Sequence, residues 1–166
     1  MTANRTNLQS SYVEKLIEHV FLADLLACLW KRSQEVVEIL KPEVDDSGYD
    51  IVLEHNGVVR HIQLKSSRVG ASTREQKVQL KLASKPSACV VWMWYDNSEM
   101  QIRDIDFFGG QPGEPLPSLE SFPVAKHTKA DKDGFKKDRP GLRVVKHKYF
   151  VRVSTMSGLA DRLFGS

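Results

Sequence analysis

Two hydrophobic periods alternate along the chain. Between Ser11 and about Arg32 the apolar residues Val13, Leu16, Ile17, Val20, Phe21, Leu25, Cys28 and Leu29 recur at three and four, which predicts an amphipathic helix. Ser11 with Glu14 predicts a capping box at its start. The period then shortens. Val36 to Leu40 predicts a strand, followed by a polar turn, and Tyr49 to Glu54 and Val58 to Ser66 predict two more. Asn56-Gly57 between them predicts a tight hairpin, because both residue types tolerate the positive φ of a type I′ turn. Ser72 with Glu75 predicts a second capped helix that stops before Pro86, since the residue ahead of a proline is pushed toward extended backbone. The unbroken apolar run from Ala88 to Tyr95 predicts a buried strand, far short of the roughly 18 to 20 residues that span a bilayer. Asn97 and Ser98 turn into a strand from Met100 to Asp106. Prolines and glycines crowd the stretch from Gly109 to Pro123, which predicts loop. Lys148 to Val153 predicts a late strand and Ser157 to Phe164 a terminal helix.

This order predicts a single α/β domain over residues 1–166 with a central mixed sheet, its core at about residues 11–106 and a loop with a basic C-terminal part at 107–166. No glycine-rich phosphate loop follows the first strand, so a dinucleotide fold, a P-loop enzyme and a nucleotide cofactor are not expected. Cys28 and Cys89 lie in apolar segments without metal-ligand spacing, which disfavours a zinc site or a disulfide scaffold. No apolar stretch follows the N-terminal Met-Thr-Ala-Asn-Arg, so the expectation is a cytoplasmic protein with no membrane partner.

Candidate chemistry comes from the hairpin. With Asn56 and Gly57 as the central turn residues, positions whose numbers add to 113 face each other, and Asp50 falls opposite Gln63. Lys65 lies two residues on and shares the side of Gln63. A carboxylate, an amide and an ammonium in an otherwise apolar sheet each cost free energy to bury without partners. A Mg²⁺ ion held by Asp50, the Gln63 side-chain oxygen and a main-chain carbonyl such as that of Leu64 supplies a reason, with Lys65 beside a bound water or a phosphate. The plain alternative is an edge strand with scattered polar residues. His61 shares the Gln63 face, but an exposed strand histidine needs no function. Asp45 and Asp46 read as turn residues, and Lys77, Gln79 and Lys81 as the solvated face of the second helix.

The string Gly48-Tyr49-Asp50-Ile51-Val52-Leu53, the short hairpin, and Ile62-Gln63-Leu64-Lys65-Ser66-Ser67 resemble the core of the PD-(D/E)XK nuclease superfamily, in which an Asp near the start of one strand is followed by an acid-x-Lys triplet on the next. The upstream helix with Glu18-His19-Val20-Phe21-Leu22-Ala23-Asp24 resembles that superfamily's first helix, which contributes a metal-proximal glutamate. The resemblance covers about residues 11–96. It implies a restriction endonuclease-like α/β/α sandwich, Mg²⁺ with Mn²⁺ as a substitute, and hydrolysis of DNA phosphodiesters to leave 5′-phosphates. Gln63 stands where the superfamily usually has an acid, as in small intron-associated homing endonucleases and resolvase-like proteins. That substitution removes a negative charge from a cation site and keeps alive a second class of function, a nuclease-fold domain that binds nucleic acid or serves in assembly. Glu18 is preferred over Glu14 as the helix ligand because Glu14 has a capping task. A homodimer would be needed to cut both strands in one encounter.

Charge adds one element. The formal net charge is +3, but the segment from Lys126 to Arg152 holds ten Lys or Arg against Asp131, Asp133 and Asp138, so the rest of the chain is net acidic. Lys126, Lys129, Lys136, Lys137, Arg139 and Arg143 are therefore candidates for contacting a DNA backbone without reading its sequence, the other reading being a solvated lysine-rich loop.

Overall fold

A computed structural model describes residues 2–44, 46–130, 132 and 134–165, with only the backbone given for residues 2–7. Asp45, Asp131 and Asp133, which figure in the turn and basic-segment readings, lie outside the described residues.

The fold is mixed α/β, with two helices, a six-stranded sheet and a three-stranded sheet among the described residues. The central sheet contains β1 (Glu38–Leu40), β2 (Ile51–His55), β3 (Val58–Arg68), β5 (Ala88–Asp96), β6 (Gln101–Gly109) and β9 (Val151–Val153), in the order β1-β2-β3-β5-β6-β9. Only the β3–β5 pair is parallel; all others are antiparallel. The hairpin register is the one predicted: Ile51 pairs with Ile62 and His55 with Val58, and Asn56 and Gly57 take φ values of 51° and 77°.

One face of this sheet is covered by α1 (Thr2–Ser33) and α2 (Met156–Phe164). Ile17, Phe21, Leu25 and Leu29 of α1 pack with Ile51, Leu53, Ile62, Val91, Met93, Ile105 and Phe107 from the strands. The helix begins well before Ser11, because nothing from Thr2 to Ser10 is a proline or glycine that would end it. Ser11 is thus an interior residue, and the expected capping box with Glu14 has no helix end to cap. No helix among the described residues is long and apolar enough to cross a membrane.

The other face departs from the expected helical layer. Residues 72–85 form no α-helix: β4 (Glu75–Gln79) leads into a 3-10 turn over Leu80–Ser84. Val78, Leu80 and Leu82 alternate, a period of two, and Val78 and Leu82 are fully buried. β4 pairs with β8 (Asp138–Lys146), which also pairs with β7 (Val124–Lys126), so the basic segment, expected as loop, is in part a sheet strand. The second sheet packs on Val90, Trp92, Trp94 and Phe108, with Leu116 and Leu119 of the proline-rich loop closing the side. The predicted strand at Lys148 to Val153 is shorter, with a 3-10 turn over His147–Tyr149 ahead of β9.

Candidate active site

The hairpin strands part at one end. β2 starts at Ile51, whereas β3 runs on to Arg68, so past Ile62 the β2-side edge of β3 has lost its strand partner. Asp50 fills the gap: its main-chain N–H donates to the Ile62 carbonyl at 2.9 Å, and its Oδ2 accepts the Leu64 N–H at 2.6 Å. The N–H and C=O of one strand residue project to the same edge, so the Leu64 carbonyl is presented on the side where Asp50 lies. Gly48 makes the approach possible. Its φ is +83°, and a Cβ there would stand 2.8 Å from the Leu82 main-chain nitrogen. An ion pair of 2.6 Å between Lys81 and Asp46 ties the same turn to the 3-10 segment.

Beside Asp50 lies a cleft of about 320 Å³. Its walls come from Glu14, Lys15 and Glu18 of α1, Leu64, Lys65 and Ser66 of β3, Met93 of β5 and Gln76 of β4. Glu18 is buried, and both its carboxylate oxygens are taken, one by Lys15 at 2.9 Å and the other by Lys41. Burial is the strongest single influence and opposes ionisation of Glu18, but the hydrogen bonds and charges of Lys41 and Lys15 together outweigh it and hold the carboxyl below its ordinary range. Glu14 lines the cleft as well, from an exposed position. Since it caps nothing, burial and ion pairing now distinguish Glu18 from it.

Asp50, Glu18, Lys65 and Leu64 are therefore brought together. Gln63 is not. It is buried outside the cleft lining, and its Oε1 accepts the main-chain N–H of Gln79 at 3.1 Å, joining β3 to the end of β4. His61 is turned to the Pro86 carbonyl at 2.8 Å and meets the Tyr49 ring edge-on. Lys77, read as helical surface, is a β4 residue whose Nζ donates to the Lys126 carbonyl.

Among the described residues no three His, Cys, Asp or Glu side chains converge as a metal-binding group. The donors of the cleft are the carboxylates of Asp50, Glu18 and the more exposed Glu14 with main-chain oxygen, a hard set suited to a cation such as Mg²⁺ that keeps most of its water, with Gln63 left out of it.

The six basic candidates lie elsewhere. Lys126 is in β7, Arg139 and Arg143 in β8, and Lys129, Lys136 and Lys137 in the connection between them. None of the six lines the cleft: the register sets Val145 opposite Gln76, with Arg143 two residues on, about 7 Å away, and Arg139 six residues on, about 20 Å. Arg143 is folded against its own strand, donating to the carbonyls of Pro140 and Leu142.

A second polar cluster escaped the sequence reading. Asp106 of β6 is almost fully buried on the face that carries the second sheet. Its Oδ2 accepts Trp94 Nε1–H at 2.6 Å and lies 2.7 Å from His147 Nε2, and its Oδ1 accepts Arg152 Nε–H at 2.7 Å. Burial works against the Arg152 charge, yet hydrogen bonds to Asp106 and Asp104 outweigh it and raise its pKa above the ordinary value. An aspartate inside Ile105-Asp106-Phe107-Phe108 was the available signal.

A scan of protein-family models finds no match to this chain, and a search of curated proteins finds none either.

Proposed function

We propose that the chain is a Mg²⁺-dependent DNA endonuclease with a restriction endonuclease-like fold, of the PD-(D/E)XK type with Gln63 in place of the second acid. The observation that carries the reading is the cleft at the parting of β2 and β3, where Asp50, Lys65 and Glu18 meet beside the Leu64 main chain. A divalent cation bound there supplies a water of lowered pKa and neutralises charge developing on the phosphate. Asp50 is held in place by the Leu64 N–H and offers a carboxylate at the open strand edge. Lys65 pairs with a non-bridging phosphate oxygen and gains most as negative charge accumulates in the transition state. Glu18 would help hold the hydrated cation in place of its lysine partners. The test is incubation of the protein with labelled duplex, junction and flap DNA in Mg²⁺, Mn²⁺ or chelator. Metal-dependent cuts with 5′-phosphate ends, lost in Asp50→Ala, support the reading.

One observation favours a second reading, a nuclease-fold domain that binds nucleic acid with little or no cleavage. Gln63 spends its oxygen on the Gln79 N–H, and Glu18 spends both of its oxygens on lysines. Binding without cleavage across the whole substrate panel would establish that reading instead.

A further inference from the structure

The Asp106 cluster borders an opening that the nuclease reading does not use. Arg74, Lys146, His147 and Lys148 line a pocket of about 480 Å³ together with Trp94 and the short segment that includes Ser72 and Thr73. No acidic residue is among the lining residues, although Glu75 pairs with Lys146 across the β4–β8 ladder. The pocket is framed by rigid parts. His147 has its Nε2 against Asp106 and its ring edge-on to Trp92, its main-chain N–H donates to the Arg74 carbonyl at 2.8 Å, and Trp92 and Trp94 stack at 4.7 Å. Three exposed cations line the pocket around a histidine held by Asp106, and the Lys148 ammonium lies 5.1 Å over the Tyr149 ring. With hydroxyl groups at the rim they form a concave, positive surface, the chemistry that takes a phosphate.

Its position links it to the cleft. Gln76, a wall of the cleft, lies two residues along the chain from Arg74, about 6.6 Å in extended backbone, a separation within the reach of a few nucleotides of one strand. Ser67 stands between them, accepting from Gln76 Nε2 and from Trp92 Nε1, so both openings lie at the same end of β3 and β5. We propose that this pocket is a phosphate subsite that holds a backbone phosphate of the nucleic acid within a few nucleotides of the one in the cleft. This deepens the nuclease reading and rests on it for the identity of the polymer. The subsite positions the nucleic-acid strand; Arg139, by contrast, lies about 20 Å along β8 from the rung that faces Gln76.

The experiment compares the wild-type chain with Arg74→Ala/Lys148→Ala and with Arg74→Lys/Lys148→Arg, in chelator so that no cleavage intervenes. Affinity for a fluorescent duplex is measured by anisotropy across a salt series, with circular dichroism to establish that each variant is folded. The alanine pair is expected to lose roughly tenfold in affinity at low salt and to flatten the logarithmic salt slope by about one to two, while the charge-preserving pair keeps both. Trp94 lines the pocket, so titrating inorganic phosphate should change tryptophan emission in the wild type and not in the alanine pair. A folded alanine pair with unchanged affinity and slope overturns the subsite, even if the wild type cuts DNA. A loss of slope in a protein that never cuts DNA keeps the subsite and removes the nuclease reading. No DNA binding by the wild type removes both.

Discussion

Glu18 and Asp106 are both buried acids, on opposite faces of one sheet, and they are neutralised by opposite means. Asp106 is held by three donors that have second partners: the buried indole of Trp94 stacked on Trp92, a half-exposed imidazole edge-on to Trp92, and a half-exposed guanidinium that reaches both of its oxygens and also Asp104. Glu18 is neutralised by two lysines whose side chains are 67% and 45% exposed. Long ammonium side chains at the surface exchange partners at little cost, whereas a buried carboxylate bound at once by an indole, an imidazole and a guanidinium must give up several hydrogen bonds together. The first arrangement suits a group that must accept a different partner during chemistry. The second suits a group that fixes what stands in front of it.

Four substitutions test that contrast, in descending order of effect. Lys65→Ala should lower Mg²⁺-dependent cleavage by roughly two to three orders of magnitude while DNA affinity falls modestly, because the ammonium acts mainly on the transition state. Equal losses in both would assign Lys65 to binding. Asp106→Ala leaves the buried Trp94 N–H without its acceptor and Arg152 with Asp104 alone, and should cost about 2 to 3 kcal/mol of unfolding free energy in urea melts, the scale for orphaning a buried donor. A loss under 1 kcal/mol would mean that this cluster is not an anchor.

Glu18→Gln separates the two acids by pH. The folded carboxyl of Glu18 lies below its ordinary 4.5, so its contribution to stability is present above that value and fades as pH falls through the lowered one. Wild type and variant should therefore differ in urea midpoint at pH 7 and converge toward pH 3. A constant gap across that range would place the effect in packing and not in charge. The smallest effect is expected from Gln63→Leu, about 1 kcal/mol, as the Gln79 N–H loses its acceptor. Cleavage by this variant, if it persists, would confine Gln63 to joining strands; its abolition in a folded protein would return Gln63 to the chemistry.

What the sequence disclosed depended on how far each partner lies along the chain. The β2–β3 register followed from Asn56-Gly57 alone, and with it the proximity of Asp50 to Leu64 and Lys65, because every interaction involved is contained within a few residues of the turn. β4 was read as a helix because its Ser72 and Glu75 match a local capping pattern, while the strand that claims it, β8, comes some sixty residues later and carries a Pro140-Gly141 pair that masks its extended character. The same distance hid the role of Gln63: its acceptor duty toward Gln79 exists only once β4 is a strand end. The basic segment was legible as charge and illegible as geometry: none of the six residues chosen from it lines the cleft, whereas Lys146 and Lys148 line the pocket beside Arg74.

The β4–β8 ladder also sets an order of assembly. The hairpin closes across two residues, but the nearest rung of β4 on β8, Gln79 with Leu142, closes a loop of about sixty residues, which adds roughly 2 to 3 kcal/mol of chain entropy before any contact is gained. Asp50, Leu64 and Lys65 can thus reach their native places early, while the Gln76 wall and the Arg74 pocket wait for the second sheet to dock. A nascent chain holds Asp50 and Lys65 in place before it holds the second sheet, so under the proposed reading the surface that would orient a polymer matures last.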